Sequence, residues 1–293
     1  MQQRKFYVGN YEVIRHIANG AFGCVYLARP SYRGQQDVAL KLLNGKRSQS
    51  EYERDRFMRE AHVLKALHHR GIPRLFDSGI TSEGVSYIAL EYAPNGNLRD
   101  LIKCYPNGVM PYRQALAILD GIAEVLSYVH AQGFLHHDIK PENVLFKDNW
   151  EPMLADFGIA LLQEEVTVRR LTALVGTPAY MAPEQYRYYA SRRSDQYSLA
   201  VLAYELFTGQ LPFEADTRTG LQEQHAYARP LPPSTYNQGL PPFIDRAILK
   251  ALEKRRVDRF DSVRGFMNAL HGATIAARRV PAAVPVFRSN MRR

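Results

Sequence analysis

Cysteine is scarce in this chain of 293 residues, which has only Cys24 and Cys104. Two thiols can build neither a disulfide framework nor a four-ligand zinc site, so reduced thiols in a cytoplasmic protein are the expectation. No apolar run reaches the ~18 residues that a membrane-spanning helix needs, and no membrane partner is expected. The opening segment, Met1 to Phe6, lacks the apolar core of a secretory signal. Acidic residues are outnumbered, 29 against 38 basic ones, for a formal net charge of +9. Such a balance attracts nucleotides, acidic peptides or nucleic acid. Part of the excess sits in Arg278, Arg279, Arg288, Arg292 and Arg293, and residues 273–293 read as a solvated basic tail. No nucleic-acid-binding signature accompanies it, so nucleic acid is not an expected partner. Internal repeats and long low-complexity segments are missing too, and nothing signals an oligomeric state.

What remains is the composition of an ordinary globular protein, 46% hydrophobic and 23% charged. The length suffices for one large domain or two lobes. Alternating apolar and polar residues predict strands over 11–18, 24–29 and 37–43. Phe57, Ala61, Leu64 and Leu67 recur at helical spacing and predict a helix over 51–67. Two more strands are expected near 72–77 and 85–91, followed by the turn residues Ala93-Pro94-Asn95-Gly96-Asn97. Beyond that point the pattern is helical, with helices expected over 114–132, 194–208, 243–252 and 262–270. The proline-rich stretch 230–242 reads as a loop between helices. Strands first and helices after predict an α+β chain, with a small β-rich part joined to a larger helical one.

The chemistry concentrates in His136-His137-Asp138-Ile139-Lys140-Pro141-Glu142-Asn143, with Asp156-Phe157-Gly158 downstream. A carboxylate, an ammonium and an amide fall within eight residues, and a second carboxylate lies 18 residues after the first. Phosphoryl transfer uses such groups. One carboxylate orients a hydroxyl, another holds a metal, the amide takes a second metal position and the ammonium offsets charge on the moving group. Upstream, Ile17-Ala18-Asn19-Gly20-Ala21-Phe22-Gly23-Cys24-Val25 lies between two predicted strands. Glycines there let backbone N–H groups approach phosphate oxygens, although a glycine hairpin turn has a similar sequence. Strand alternation turns Val38 and Leu40 one way and Ala39 and Lys41 the other.

Taken in order, these segments resemble the eukaryotic-like, Hanks-type serine/threonine protein kinases over roughly residues 11–271. The resemblance implies a bilobal kinase fold, with an N-lobe over 1–92 and a C-lobe over 93–272. It implies that Lys41 holds the α- and β-phosphates of ATP and pairs with Glu60 on the next helix. Ile17, Ala18, Gly20, Gly23, Val25 and Ala39 would line the nucleotide. Leu90, Glu91 and Ala93 match the segment that reads adenine through backbone groups, and for Leu90 a plain core role fits equally well. Asp138 would accept a hydrogen bond from the substrate hydroxyl, with Lys140 neutralising the transferred phosphate. Asn143 and Asp156 would coordinate Mg²⁺, with Mn²⁺ as the alternative metal. His136 and Phe157 would be structural. Thr177, in Gly176-Thr177-Pro178, would bridge Asp138 and Lys140. Glu184 would pair with Arg259, and Asp195 would anchor the backbone near His136 from a buried helix. Two positions depart from the family pattern. Ala18 replaces the first glycine, and His137 stands where most members have arginine. Histidine cannot form the bidentate clamp of a guanidinium. Activity is therefore expected to depend less on phosphorylation of the loop that carries Thr167 and Thr172 than in arginine-containing relatives.

Lys140 and the segment Gly176–Glu184 agree with the serine/threonine class. The expected activity is transfer of the γ-phosphoryl group of Mg·ATP to Ser/Thr hydroxyls of proteins, with autophosphorylation. The competing expectation is a pseudokinase that holds nucleotide or a partner without turnover. Ala18 and His137 alone speak for it.

Overall fold

The structure is a computed structural model that describes residues 6–20, 23–32, 36–43, 50–157, 161–162, 169–170 and 176–272. Thr167, Thr172, Gly158 and the basic tail lie outside the described residues. The chain divides into two compact units, residues 1–94 with 155–160, and residues 95–154 with 161–293.

The first unit is built on an antiparallel sheet. Its strands are β1 (Phe6–Val8), β2 (Tyr11–Asn19), β3 (Gly23–Pro30), β4 (Val38–Leu43), β5 (Leu75–Ile80) and β6 (Ser86–Glu91), in the order β1-β2-β3-β4-β6-β5. One helix, α1 (Glu51–Ala66), interrupts the meander between β4 and β5. Alternation decides both faces. Val38 and Leu40 join Val8, Tyr11, Ala28 and Ala89 in one cluster, with Leu42 packed against it. The buried side of α1 carries Phe57, Ala61 and Leu64 and packs beside β5 and β6. Ser50 caps α1 by accepting the N–H of Glu53, and Glu51 and Glu53 lie in its positive first turn. The strand expected at 72–77 begins later, at Leu75. Pro73 has no N–H to give a ladder, and Ile72 is tied into a turn by its N–H to the His69 carbonyl.

In the second unit, helices surround a central helix that has almost no exposed face. α2 (Leu98–Ile102) is capped by Asn97, and α3 (Tyr112–Ala131) buries one stripe from Ala115 to Val129. Short antiparallel pairs follow: β7 (Phe134–Leu135) with β10 (Leu161–Leu162), β8 (Val144–Phe146) with β9 (Pro152–Leu154), and β11 (Arg169–Arg170) with β12 (Tyr189–Ala190). α4 (Arg192–Thr208) is buried at every position from Ser194 to Thr208, as its nearly continuous apolar sequence requires. Gly209 ends it at φ 71°, where a Cβ would lie 1.9 Å from the Asn107 carbonyl oxygen. α5 (Arg218–Tyr227), α6 (Pro242–Ala251) and α7 (Val263–Leu270) complete the unit. α6 packs on both α4 and α7, and α3 packs on both of them as well. A 3₁₀ turn, Pro233–Thr235, lies within the proline-rich connection between α5 and α6.

α5 contributes one fully buried side chain, His225, set among Tyr197, Tyr186 and Phe213. Its Nδ1 lies 3.0 Å from the Tyr197 hydroxyl. Burial first, and then the Lys254 charge, push the imidazole down to about 3, so it is neutral in the fold. In the unfolded chain a histidine titrates near ~6.5. A depressed folded value means stability is full above ~6.5 and falls as pH drops from there, at up to ~1.4 kcal/mol per pH unit. Urea denaturation at pH 7.5, 6 and 5 should show this decline. His225→Phe should flatten it, and an equal slope in the two proteins would remove His225 as its source.

Candidate active site

Two clusters of polar side chains stand out, one in each unit. In the first, β4 places Lys41 with 8% of its surface exposed. Its Nζ donates to Glu60 Oε2 at 2.5 Å and to Asp156 Oδ1 at 3.1 Å. Burial opposes charge on both partners of the buried pair. It raises the Glu60 carboxyl against the attraction of Lys41. The two carboxylates outweigh burial at Lys41 and hold its ammonium above the ordinary lysine value. Lys41 is therefore charged, and its position is fixed from two sides. Asp156 adopts φ 65°, a left-handed backbone that turns the chain just before the fully buried Phe157.

The sheet register builds a row beside this lysine. Ala18 pairs with Val25, Val25 with Lys41, and Ala39 with Leu90, and paired residues share a face. Ile17 falls in a register irregularity between His16 and Ala18, and the Gly20 N–H donates to the Gly23 carbonyl at 2.7 Å. Glu91 is tied to Arg74 through its N–H and through Oε2, and Ala93 follows half-buried. Ala21 and Phe22 lie outside the described residues.

The second cluster is centred on Asp138, which is 5% exposed. Its Oδ1 accepts from the Thr177 N–H and hydroxyl, both at 2.8 Å. Its Oδ2 accepts from Lys140 Nζ at 2.7 Å and from Asn143 Nδ2 at 3.1 Å. Lys140 also donates to Thr177 Oγ1 at 2.8 Å, which closes a triangle. Asn143 Nδ2 donates to the Asp138 carbonyl as well, so its amide oxygen is the acceptor left for a cation. Gly176, at φ 111°, passes close to this strand of backbone; a Cβ there would meet the His137 carbonyl at 3.0 Å.

The segment is held from below. Asp195 on α4 is fully buried and accepts the N–H groups of His136 and His137 at 2.9 Å each, and lies 2.7 Å from His130 Nε2. Burial alone would raise this carboxyl. The hydrogen bond and charge of His130, with His137 and His136 nearby, hold it well below the carboxylate range. His137 adopts φ 73°, and Gln185 Nε2 donates to its carbonyl. His130 and Gln185 escaped the sequence reading. His130 falls on the apolar stripe of α3, and Gln185 has no neighbouring motif residue that would mark it.

Glu184 and Arg259 form the best-satisfied ion pair among the described residues of this unit. Two guanidinium nitrogens reach the two carboxylate oxygens at 2.8 and 2.9 Å, and Ser194 Oγ donates to Glu184 as well. The other three N–H donors of Arg259 go to the carbonyls of Glu253, Arg193 and Lys254, so all five are used. A second network was also missed. Arg99 on α2 donates to Glu142 at 2.7 Å, to the Tyr180 hydroxyl at 2.7 Å and to Glu205, and Tyr180 donates to Glu205 at 2.5 Å. Among the described residues no group of three or more His, Cys, Asp or Glu is arranged to hold a metal by itself. Asp156 in the first unit and Asn143 in the second each carry a side-chain oxygen, the donor type that Mg²⁺ takes.

A family model for the protein kinase domain matches residues 11–255, and the chain belongs to that family. It is 35% identical over 257 residues to serine/threonine-protein kinase PknB of Mycobacterium leprae, covering 86% of this chain and 41% of that protein. It is 33% identical over 258 residues to PknB of Mycobacterium tuberculosis, with the same two coverages. A probable serine/threonine-protein kinase of Clostridium perfringens matches at 31% over 265 residues, 90% of this chain and 38% of that protein. The chain thus spans about two fifths of the length of these relatives.

Removing one partner of a buried ion pair leaves the other charge uncompensated. Arg259→Ala should cost about 3–5 kcal/mol of stability. Arg259→Lys should recover little, because an ammonium lacks the five-donor fork. Chemical denaturation of the two variants against the parent checks this; a loss below ~1 kcal/mol for Arg259→Ala would show the pair to be marginal.

Proposed function

We propose that this chain is the catalytic domain of a cytoplasmic serine/threonine protein kinase, which transfers the γ-phosphoryl group of ATP to protein Ser/Thr hydroxyls. The observation that carries the reading is the hydrogen-bonded triangle of Asp138, Lys140 and Thr177 over a pinned backbone. Its donors and acceptors match the demands of in-line transfer to a hydroxyl. No helix among the described residues is long and apolar enough to cross a membrane.

In this reading each side chain has one task. Lys41, held by Glu60, takes the α- and β-phosphate oxygens as a desolvated point charge. Backbone N–H groups near Gly20 and Gly23 cover the phosphates, and Val25, Ala39 and Leu90 give the base an apolar wall. Asp156 and Asn143 would each offer an oxygen ligand to Mg²⁺, or to Mn²⁺. Bound there, the ion would neutralise charge spread over the phosphate oxygens. Asp138 orients the substrate hydroxyl and accepts its proton. Lys140 moves from Asp138 toward the transferred phosphoryl oxygens as their charge develops. Thr177 keeps Asp138 and Lys140 in register. His136, Phe157, Asp195, Glu184 and Arg259 position these groups and touch no reacting atom. Retention of Lys41, Asp138, Asn143 and Asp156 favours turnover over a scaffold that only binds nucleotide.

Asp138→Asn should bind a fluorescent ATP analogue within about twofold of the parent, because Asp138 serves the hydroxyl and not the nucleotide. Its turnover on a generic basic protein with labelled ATP should fall at least ~10²-fold. Equal turnover would remove Asp138 from the mechanism. Histidine at 137 gives a phosphorylated loop no guanidinium clamp, so phosphatase-treated protein should retain most of its initial rate in the same assay. Abolished activity after that treatment would assign the loop a controlling role, with mass spectrometry then locating phosphate on Thr167 or Thr172.

A further inference from the structure

The second unit holds a cavity that no step above uses. It is half open to the surface, has a volume of about 700 Å³ and is bounded by residues of the Pro183–Tyr189 segment, by α5, and by the connection from α6 to α7. Its cations are Arg187, Lys254, Arg255 and Arg256, and its one carboxylate is Glu184. Glu184 is already committed to Arg259 and Ser194, so it offsets none of the four. Arg255 lies 3.6 Å from Asp258 with its side chain 77% exposed, an arrangement that holds the guanidinium only loosely. Arg256 Nη1 is buried and has no hydrogen-bond partner among the described residues. A buried donor of this kind is costly until an acceptor reaches it. Lys254 is turned toward the carbonyls of Gln224 and His225 and over the Phe213 ring. Burial first, and then the charge of Arg259, bring its ammonium down to about 8 against the opposing attraction of Glu253. Ala226 and Val257 add apolar surface to the wall, and Val257 is 59% exposed.

We propose that this cavity docks an acidic or phosphorylated peptide segment of a protein partner. Arg187, Arg255 and Arg256 take its carboxylate or phosphate oxygens, and a neighbouring aliphatic side chain rests against Ala226 and Val257. Guanidinium groups suit both oxyanions because their paired donors match two oxygens. A local pocket with an apolar wall fits a side chain better than a nucleic-acid backbone, which is met by an extended basic surface. Docking here is independent of phosphoryl transfer, so its test needs no turnover.

The experiment measures fluorescence anisotropy of three labelled peptides on the full chain. One carries a Glu-rich run beside a leucine, one has Gln at each Glu, and one has a single phosphothreonine in the Gln background. The acidic peptide, the phosphopeptide or both should bind at least ~10-fold more tightly than the Gln peptide, and their ranking identifies the oxyanion recognised. The exposed double variant Arg187→Glu/Arg255→Glu should lose at least ~10-fold of that affinity, while Arg187→Lys/Arg255→Lys keeps most of it. An unchanged thermal melt excludes unfolding as the cause. Three results would overturn the proposal: equal binding of all three peptides, affinity indifferent to charge reversal, or binding of a single-stranded RNA oligonucleotide in place of the peptides.

Discussion

The buried carboxylate of Asp195 is the constraint on which the second unit is organised. A charge with no exposed surface survives only if donors surround it, and here three do: two backbone N–H groups and an imidazole. The imidazole comes from the well-packed α3, and the two backbone donors come from a segment outside any helix or strand. His136 and His137 lie in a stretch without regular structure, and their N–H groups would otherwise be orphaned in the interior. The same two bonds help hold His137 at φ 73°, a conformation that costs a non-glycine residue energy unless its surroundings impose it. α4 is buried on every side because it must carry this carboxylate to the middle of the unit. The charged centre and the apolar helix are parts of one device.

The remaining ion pairs act in the same way, as positional devices more than as sources of stability. Taking two charges out of water costs about as much as their attraction returns, so a buried pair adds little net energy. Its value lies in geometry. Lys41 cannot swing on its four-carbon stem while Glu60 and Asp156 hold Nζ from two directions. Arg259 binds the Glu184 carboxylate while also taking three carbonyls, so it fixes the end of the Gly176–Glu184 segment against residues 253–254 and 193. Stability comes from the apolar stripes of α3, α4, α6 and α7, whose burial is large and undirected.

Much of this was legible in the sequence, for identifiable reasons. Strands and long helices announce themselves by period, so β2 to β4, α1, α3, α4, α6 and α7 fall within a few residues of expectation. The motif residues could be named because their spacing is unusual and their chemistry coherent. What stayed hidden is what periodicity cannot carry. α5 buries little beyond His225, so its pattern is faint. α2 is five residues long and exists because Asn97 caps it. His130 looks like any polar residue on an apolar stripe until the fold brings Asp195, 65 residues away, against it. Arg99 meets Glu142, Tyr180 and Glu205 across separations of 43, 81 and 106 residues, and no local signal marks such a contact.

The hydrogen bonds of Asp138 also bear on the order of events. A carboxylate has about four lone-pair positions, and here each is taken: two by Thr177, one by Lys140 and one by Asn143. A hydroxyl can therefore approach only as one donor leaves. The Thr177 N–H is backbone fixed in the segment that begins at Gly176, and Asn143 is anchored a second time by the Asp138 carbonyl. Lys140 has three donors on a rotatable stem, a second bond only to a hydroxyl, and a side chain 20% exposed. It is the donor with the least to lose by turning away, and a phosphoryl group gaining negative charge gives it somewhere to go. In the proposed reaction, arrival of the hydroxyl at Asp138 and departure of Lys140 toward phosphate would thus be one coupled exchange. Asp138, as the proposed proton acceptor, would become available only when the ammonium has a charge to stabilise elsewhere.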